Sequence, residues 1–299
     1  MVHTEIRRSG KTIKYYRVLT FRKKGKVVHL RKYLGSGLKH AELKRKEQDA
    51  DLLLKHPLNT LLSSNERLLL EHIKAQHKSK SPSTLENRYE AFVSEFTYDS
   101  TGIEGNTLTL RETAAVLFEG ATPAKTLREI YEVLNHKKAF DYLLSYKSDF
   151  SKNLLCALQT IVTENTLKPE VAKQAGVYRT VPVFIRGAKI SPPPPEQVHK
   201  EMRSLLSWYS KNKHSLHPVV LAGYVHAAFE AIHPFIDGNG RTGRLVINFL
   251  LHKNNYPMIS IHRTQRMRYL KTLAQAQNGN LRPFIVLLIQ LLKQTEKSV

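Results

Sequence analysis

The twelve residues from His233 to Arg244, HPFIDGNGRTGR, constrain this chain more tightly than any other segment. They put an imidazole, a carboxylate, a glycine-rich turn and two guanidinium groups into one short stretch. Gly238 and Gly240 flank Asn239, and glycines accept left-handed backbone angles and let a ligand approach the main chain closely. The apolar run from Leu245 to Leu251 reads as a buried helix. The turn then sits at that helix's N-terminus, where unpaired N–H groups and the positive end of the dipole favour an anion. Arg241 and Arg244, three residues apart, share a helical face and can grip neighbouring phosphates. Asp237 is a hard oxygen ligand suited to Mg2+ beside phosphate. His233 exchanges a proton near neutral pH, as a general base must.

The stretch resembles the motif of the Fic family, HPFx[D/E]GNGRxxR, and fills every fixed position of it. In that family the motif histidine deprotonates a hydroxyl of a target protein. The hydroxyl attacks the α-phosphate of ATP, AMP is transferred and pyrophosphate leaves. The resemblance implies His233 as the base and Asp237 as the Mg2+ ligand. It implies that Gly238, Asn239 and Gly240 hold the α- and β-phosphates, with Arg241 at the β- and Arg244 at the γ-phosphate. Pro234 and Phe235 read as structural. Doc-like kinases of the same fold carry a lysine where this chain has Gly240, so the glycine favours AMP transfer without fixing the nucleotide base.

A second stretch, Ser100-Thr101-Gly102-Ile103-Glu104-Gly105-Asn106, resembles the family's inhibitory motif, [S/T]xxxE[G/N]. Ser100 and Glu104 are four apart and share a helical face, and Gly105 and Asn106 suit a helix C-terminus. The resemblance implies a Glu104–Arg244 ion pair at the γ-phosphate position, which leaves ATP misaligned; its place upstream matches the class with an N-terminal inhibitory helix. Gly176 to Gly187, β-branched between glycines, reads as a hairpin, which the family uses as a flap that pins the target's side chain. Tyr178 and Arg179 are flap residues or packing residues. Glu132 to Ala139 looks like a family helix, and Arg268 to Gly279 resembles the one beside the adenine pocket. There Leu270 replaces the second tyrosine of many relatives and Gln277 an asparagine. Gln277 can still meet a base edge, but adenine preference stays open. The resemblance covers roughly residues 60–295.

The N-terminus is a different material. The chain's net charge is +22, and residues 1–50 carry fifteen Lys/Arg against four Asp/Glu, so 15 − 4 = +11. Within 5–34, apolar and aromatic residues interleave with bases, and glycines at 10 and 25 read as turns of a hairpin or three-stranded meander. Such a sheet can grip nucleic acid through phosphates and stacking; the alternative is a solvated basic sheet that packs on the body or meets an acidic protein. Gly35-Ser36-Gly37 reads as a joint.

From residue 38 the pattern is helical. Ser63–Glu66, Ser83–Glu86, Thr109–Glu112 and Thr126–Glu129 each have capping-box spacing ahead of an amphipathic run. Lys78 to Pro82 reads as a loop, and Pro192 to Pro195 leads into a helix over about 196–211. His226 reads as a hydrogen-bonded core histidine, Trp208 and Tyr209 as packing, and Cys156, the single cysteine, as a buried thiol. One cysteine excludes an internal disulfide, and no apolar stretch is long enough for a membrane span. The expectation is a soluble cytoplasmic protein.

The expected fold is mainly α: a Fic-type helical bundle with a β-hairpin flap and a small basic β-rich appendage. Expected divisions are 1–36 for the basic sheet, 37–80 for a helical linker and 81–299 for the Fic domain with its inhibitory helix, core about 130–255. The resemblance implies an adenylyltransferase using ATP and Mg2+ on Ser, Thr or Tyr hydroxyls of a target protein or of itself, restrained by Glu104 and able to reverse the modification. Many Fic proteins dimerise, so a homodimer is a further expectation. The rivals are a transferase of another nucleotide and a nucleic-acid-binding regulator with a nucleotide-sensing site; the intact His233 argues against the second.

Overall fold

The computed structural model describes residues 2–10, 12–23, 26–79, 88–184 and 191–297. Three strands, β1 (Val2–Ser9), β2 (Thr12–Lys23) and β3 (Lys26–Ser36), form an antiparallel meander in chain order. Gly10 turns between the first two with φ 61°; the turn expected at Gly25 lies outside the described residues. A bulge between Tyr15 and Tyr16 leaves Leu34 unpaired in β3 and turns it into the interior. Helix α1 (His40–Lys55) covers one face of the sheet. Its Asp51 takes two hydrogen bonds from Arg17, at 2.6 and 2.8 Å, and its Glu47 accepts from Thr4.

The body is helical. Helix α2 (Ser64–Ser79) follows a reciprocal Ser63–Glu66 cap, and α3 (Tyr89–Glu104) ends where Gly105 turns left-handed at φ 112°. Helix α4 (Leu110–Ala114) starts at the Thr109–Glu112 box and runs into a single π-helical turn, Ala115–Glu119. Helix α5 (Leu127–Ser145) starts at the Thr126–Glu129 box. The fourth expected box, Ser83–Glu86, lies outside the described residues; of the loop expected over Lys78–Pro82, Lys78 and Ser79 are instead the last residues of α2, and the rest lies outside the described residues. There follow α6 (Lys152–Thr163), α7 (Pro195–Asn212), α8 (Pro218–Ile232), α9 (Asn239–Lys253), α10 (Arg266–Gln277) and α11 (Arg282–Lys297).

Helices α8 and α9 are buried nearly all round and form the centre, wrapped by α6, α7, α10 and α11. The loop joining these two helices is residues 233–238, so the motif is held at the rim of the best-packed part of the molecule. Trp208 stacks on Tyr224 with ring centroids 3.7 Å apart, and Tyr209 is buried, so both pack. Cys156 is only half-buried, because α6 turns it to the edge of the core. Among the described residues no helix is long and apolar enough to cross a membrane.

Where α8 crosses α11 the side chain must vanish: a Cβ on Gly223 would stand 2.5 Å from the Ile285 methyl. Gly223→Ala should therefore destabilise by about 1–3 kcal/mol, the usual cost of overpacking a core, although alanine is the better helix former. A thermal unfolding midpoint equal to or above the parent's would refute this close contact.

Candidate active site

Helix α8 ends at His233, which takes the left-handed conformation, φ 49° and ψ 61°, and closes the helix through its N–H to Phe229 O at 2.9 Å. A non-glycine residue in that region is strained, and the surroundings hold it there. Buried Arg179 donates from Nε to His233 O at 2.8 Å and from Nη2 to Pro193 O at 2.6 Å, while its own N–H reaches Pro234 O at 2.8 Å. Arg179 is thus a clamp on the loop, and Tyr178 packs its ring against Phe235. The hairpin expected here is not formed among the described residues: 176–184 pair with no strand, and Ile185 to Gly187 lie outside them.

Gly238 starts α9 at φ 79°. A Cβ there would meet the Thr163 methyl at 2.9 Å, so both conformation and space demand glycine. Asn239 exchanges two hydrogen bonds with the main chain of Phe235, at 2.8 and 2.9 Å, and is spent on shaping the turn. What the turn offers an anion is the N–H groups of Asn239, Gly240 and Arg241, which have no acceptor inside the helix.

Around this cradle stand the charges. Asp237 accepts from Gly238 N at 2.6 Å and Arg241 Nη2 at 3.2 Å, and its other oxygen lies 3.5 Å from Arg128. It is 36% exposed. One reachable carboxylate oxygen beside a phosphate cradle is the donor set Mg2+ uses, the rest coming from phosphate and water, so the residues fit the ion. Buried Arg241 also donates to Val162 O at 3.3 Å and faces Glu132 at 3.8 Å.

Arg244 is almost fully buried and turned toward α3. Its Nε donates to Ser100 Oγ at 2.9 Å, and its Nη2 donates to Ser100 O at 2.7 Å and to Glu104 Oε1 at 2.8 Å. Glu104 is the last residue of α3, with its side chain 41% exposed toward the cradle. Burial works against its charge, but Arg244, then Arg241 and His233, outweigh that and hold the carboxyl below its ordinary value. Helix α3 is fixed in turn: Asp99 accepts from Ser260 Oγ, His262 Nδ1 and Arg263 N, and Arg266 donates to Ile103 O.

Residues the sequence motifs do not announce complete the site. Gln159 donates to Asp237 O at 3.0 Å and accepts from Gly176 N, tying the loop to the flap. Glu132 joins Asn106 at 3.0 Å, Arg128 and Arg241. Glu230 lies 3.7 Å from His233 Nδ1. Gln277 is half-exposed at the end of α10 and makes no hydrogen bond to the motif among the described contacts.

A glycine turn with free N–H groups, a histidine and a buried arginine pair together suit an anionic ligand. Residues 149–251 match the model of the Fic/DOC family. A protein adenylyltransferase Fic of Nematostella vectensis is 36% identical over 190 residues, 63% of this chain and 44% of that protein; one of Drosophila grimshawi is 36% identical over 192 residues, 63% and 39%. The chain thus spans less than half the length of these curated relatives. Among solved structures, a Fic-domain signalling protein of Bacteroides thetaiotaomicron superposes with TM-score 0.69 at 28% identity, covering 78% of this chain and 95% of that one. Residues 134–508 of C. elegans Fic-1 superpose with TM-score 0.69 at 25% identity, covering 88% and 77%. Over residues 149–251 the chain is thus similar to the Fic/DOC family, and it shares the fold of these solved Fic proteins.

Burial sets the protonation of this region. It pushes His233 down to about 4 and His217 and His226 down to about 3, and it holds His136 well below its ordinary value. Glu230, buried and near Glu104, is raised to about 8 and keeps its proton at neutral pH despite Arg244. The unfolded chain protonates these four imidazoles near 6.5, the folded chain only at a lower pH; in between the unfolded state binds more protons, so stability falls as pH falls. Glu104 acts in the same sense, its contribution being lost as pH falls below 4.5. Glu230 acts in the opposite sense between 4.5 and 8 but is one group against four imidazoles. The thermal unfolding midpoint should drop steadily from pH 6.5 to 4; a midpoint that is flat across that range would refute the neutral buried imidazoles.

Proposed function

We propose that this protein transfers AMP from ATP to a hydroxyl of a target protein or of itself, and that Glu104 restrains the transfer. The single observation that carries the reading is the meeting of two sequence-distant groups, Glu104 and Arg244, at 2.8 Å beside an anion cradle and a neutral imidazole. The relatives' names supply the reaction: those proteins are adenylyltransferases.

The triphosphate lies along the first turn of α9, on the main-chain N–H groups and Arg241. His233 Nδ1 is sealed from solvent, so Nε2 faces the incoming hydroxyl. Nε2 takes the hydroxyl proton, and the oxygen bonds to the α-phosphorus. The bond to the α,β-bridging oxygen breaks, and pyrophosphate leaves with the electron pair. Mg2+ on Asp237 neutralises phosphate charge when bound. Because burial holds the imidazole neutral, the base is ready without first losing a proton. Arg244, when released from Glu104, meets the γ-phosphate and sets the in-line geometry.

The half-exposed Glu104 carboxyl beside the cradle also supports a second use, orienting water for removal of AMP. The base specificity rests on α10, where Leu270 packs on the core and Gln277 stays at the edge; a panel of labelled nucleoside triphosphates separates ATP from the others.

Glu104→Gly should raise self-labelling from α-labelled ATP and Mg2+ well above the parent. Adding His233→Ala should cut the label by about 10²–10⁴-fold, the span of a general base, with ATP still bound. Equal label on parent and Glu104→Gly would sink the restraint, and equal label on single and double variants would sink the base. Removing Glu104 also removes a charge that raises the His233 pKa. The kcat/KM of Glu104→Gly should therefore hold from neutral pH down to about pH 5.5, where an ordinary imidazole is mostly protonated; an acid limb near 6.5 would contradict the buried base.

A further inference from the structure

We propose that the open face of the N-terminal sheet is a stacking platform for single-stranded nucleic acid. This inference is independent of the AMP-transfer reading. Strand register and contacts separate two faces. Thr4 and Arg17 are cross-strand partners and point to α1, where Glu47 and Asp51 receive them. Glu5, Arg7, Lys14, Tyr16, Arg31 and Tyr33 belong to the other face, which no helix of the described residues covers.

That face joins two properties. The first is charge. Residues 1–36 carry eleven Lys/Arg and one Asp/Glu, so 11 − 1 = +10 over both faces, and the register puts Arg7, Lys14 and Arg31 on this one. The acids of α1 that reach the sheet are spent on Arg17 on the covered side. The open side keeps only Glu5, held between Arg7 at 2.7 Å and Arg31 at 3.1 Å. The second is an aromatic centre. Tyr16 and Tyr33 lie side by side with ring centroids 5.2 Å apart, Arg7 sits over the Tyr16 ring at 5.2 Å, and Tyr33 is 49% exposed.

A merely solvated basic face needs the arginines but not a tyrosine pair at its centre with one ring exposed. An acidic protein would use the charges and leave the rings idle. Unpaired bases use both: they stack on the rings while the backbone phosphates follow the arginines. A duplex keeps its base faces stacked inside and offers the rings nothing.

The test uses the full chain and fluorescence anisotropy with labelled 20-nucleotide (U)20, (dT)20 and a blunt 20-base-pair duplex, at several salt concentrations, with poly-glutamate as competitor. The single strands should bind more tightly than the duplex, with affinity falling as salt rises. Tyr33→Ala should weaken single-strand binding about 5–100-fold, as loss of a stacked base does. Tyr33→Phe should retain binding, and Arg31→Ala should lower the salt slope by about 0.7. Tighter binding of (U)20 or of (dT)20 names RNA or DNA as the strand. Unchanged unfolding midpoints exclude misfolding as the cause of a loss, and intact binding by Tyr33→Phe does so independently. No binding at about 0.1 M salt, a duplex bound as tightly as the strands, Tyr33→Ala without effect, or poly-glutamate displacing the strands at equal charge would each overturn the proposal, the last in favour of an acidic protein partner.

Discussion

A buried guanidinium is the constraint around which this molecule is arranged. Arg244 lies inside the helical core, where an unpaired charge would cost several kcal/mol. Two groups of one helix meet it: Ser100, through hydroxyl and carbonyl, and Glu104. Meeting them requires α3 to lie across the start of α9, and Asp99 and Arg266 hold it there at both edges of the contact. The same cation keeps its neighbours from charging: His226 and His136 stay neutral partly because Arg244 is near, burial being the larger cause. A structural requirement, satisfying one cation, thereby delivers a carboxylate to the mouth of a phosphate cradle.

Two glycines express the tightness of that arrangement. A Cβ on Gly240 would collide with the Glu104 carboxylate and touch Arg244, and one on Gly243 would stand 2.5 Å from Glu230 and 2.8 Å from His226. The glycine at 240 was read from sequence as a sign of AMP transfer rather than phosphoryl transfer. In the structure it is also what lets Glu104 reach its place, so a side chain at 240 and a carboxylate at 104 compete for one volume. Residues 240 and 104 form a single device, although 136 positions separate them in the chain.

What was legible in the sequence is what local chemistry dictates. The capping boxes at Thr109 and Thr126, the left-handed Gly105 and the buried helix after Gly238 each depend on residues a few positions apart. The Glu104–Arg244 contact was legible only because two motifs were known to travel together. Gln159, Glu132 and Arg128 were invisible: each touches the motif loop across 78 to 109 residues, and a lone polar residue in an amphipathic helix carries no mark of its partner. The return half of the expected hairpin lies outside the described residues. In the described half, the N–H of Arg179 and its guanidinium bond to the carbonyls of His233, Pro234 and Pro193, a clamp across up to 55 residues that the local sequence does not mark.

The exchange at Arg244 follows from the exposure of its two partners. Ser100 is buried, whereas Glu104 is 41% exposed and stands at a helix end, where one side chain can swing without moving backbone. On the proposed reading, a triphosphate entering along α9 would bring its own anionic oxygens to the same guanidinium, so Arg244 would pass from one anion to another without being left unpaired. The cost of release is then not a bare buried cation but the difference between two charge-assisted contacts, which is small beside either one. On the proposed reading the restraint would then be firm and still reversible, with the Ser100 contacts holding the cation in place when the carboxylate is gone.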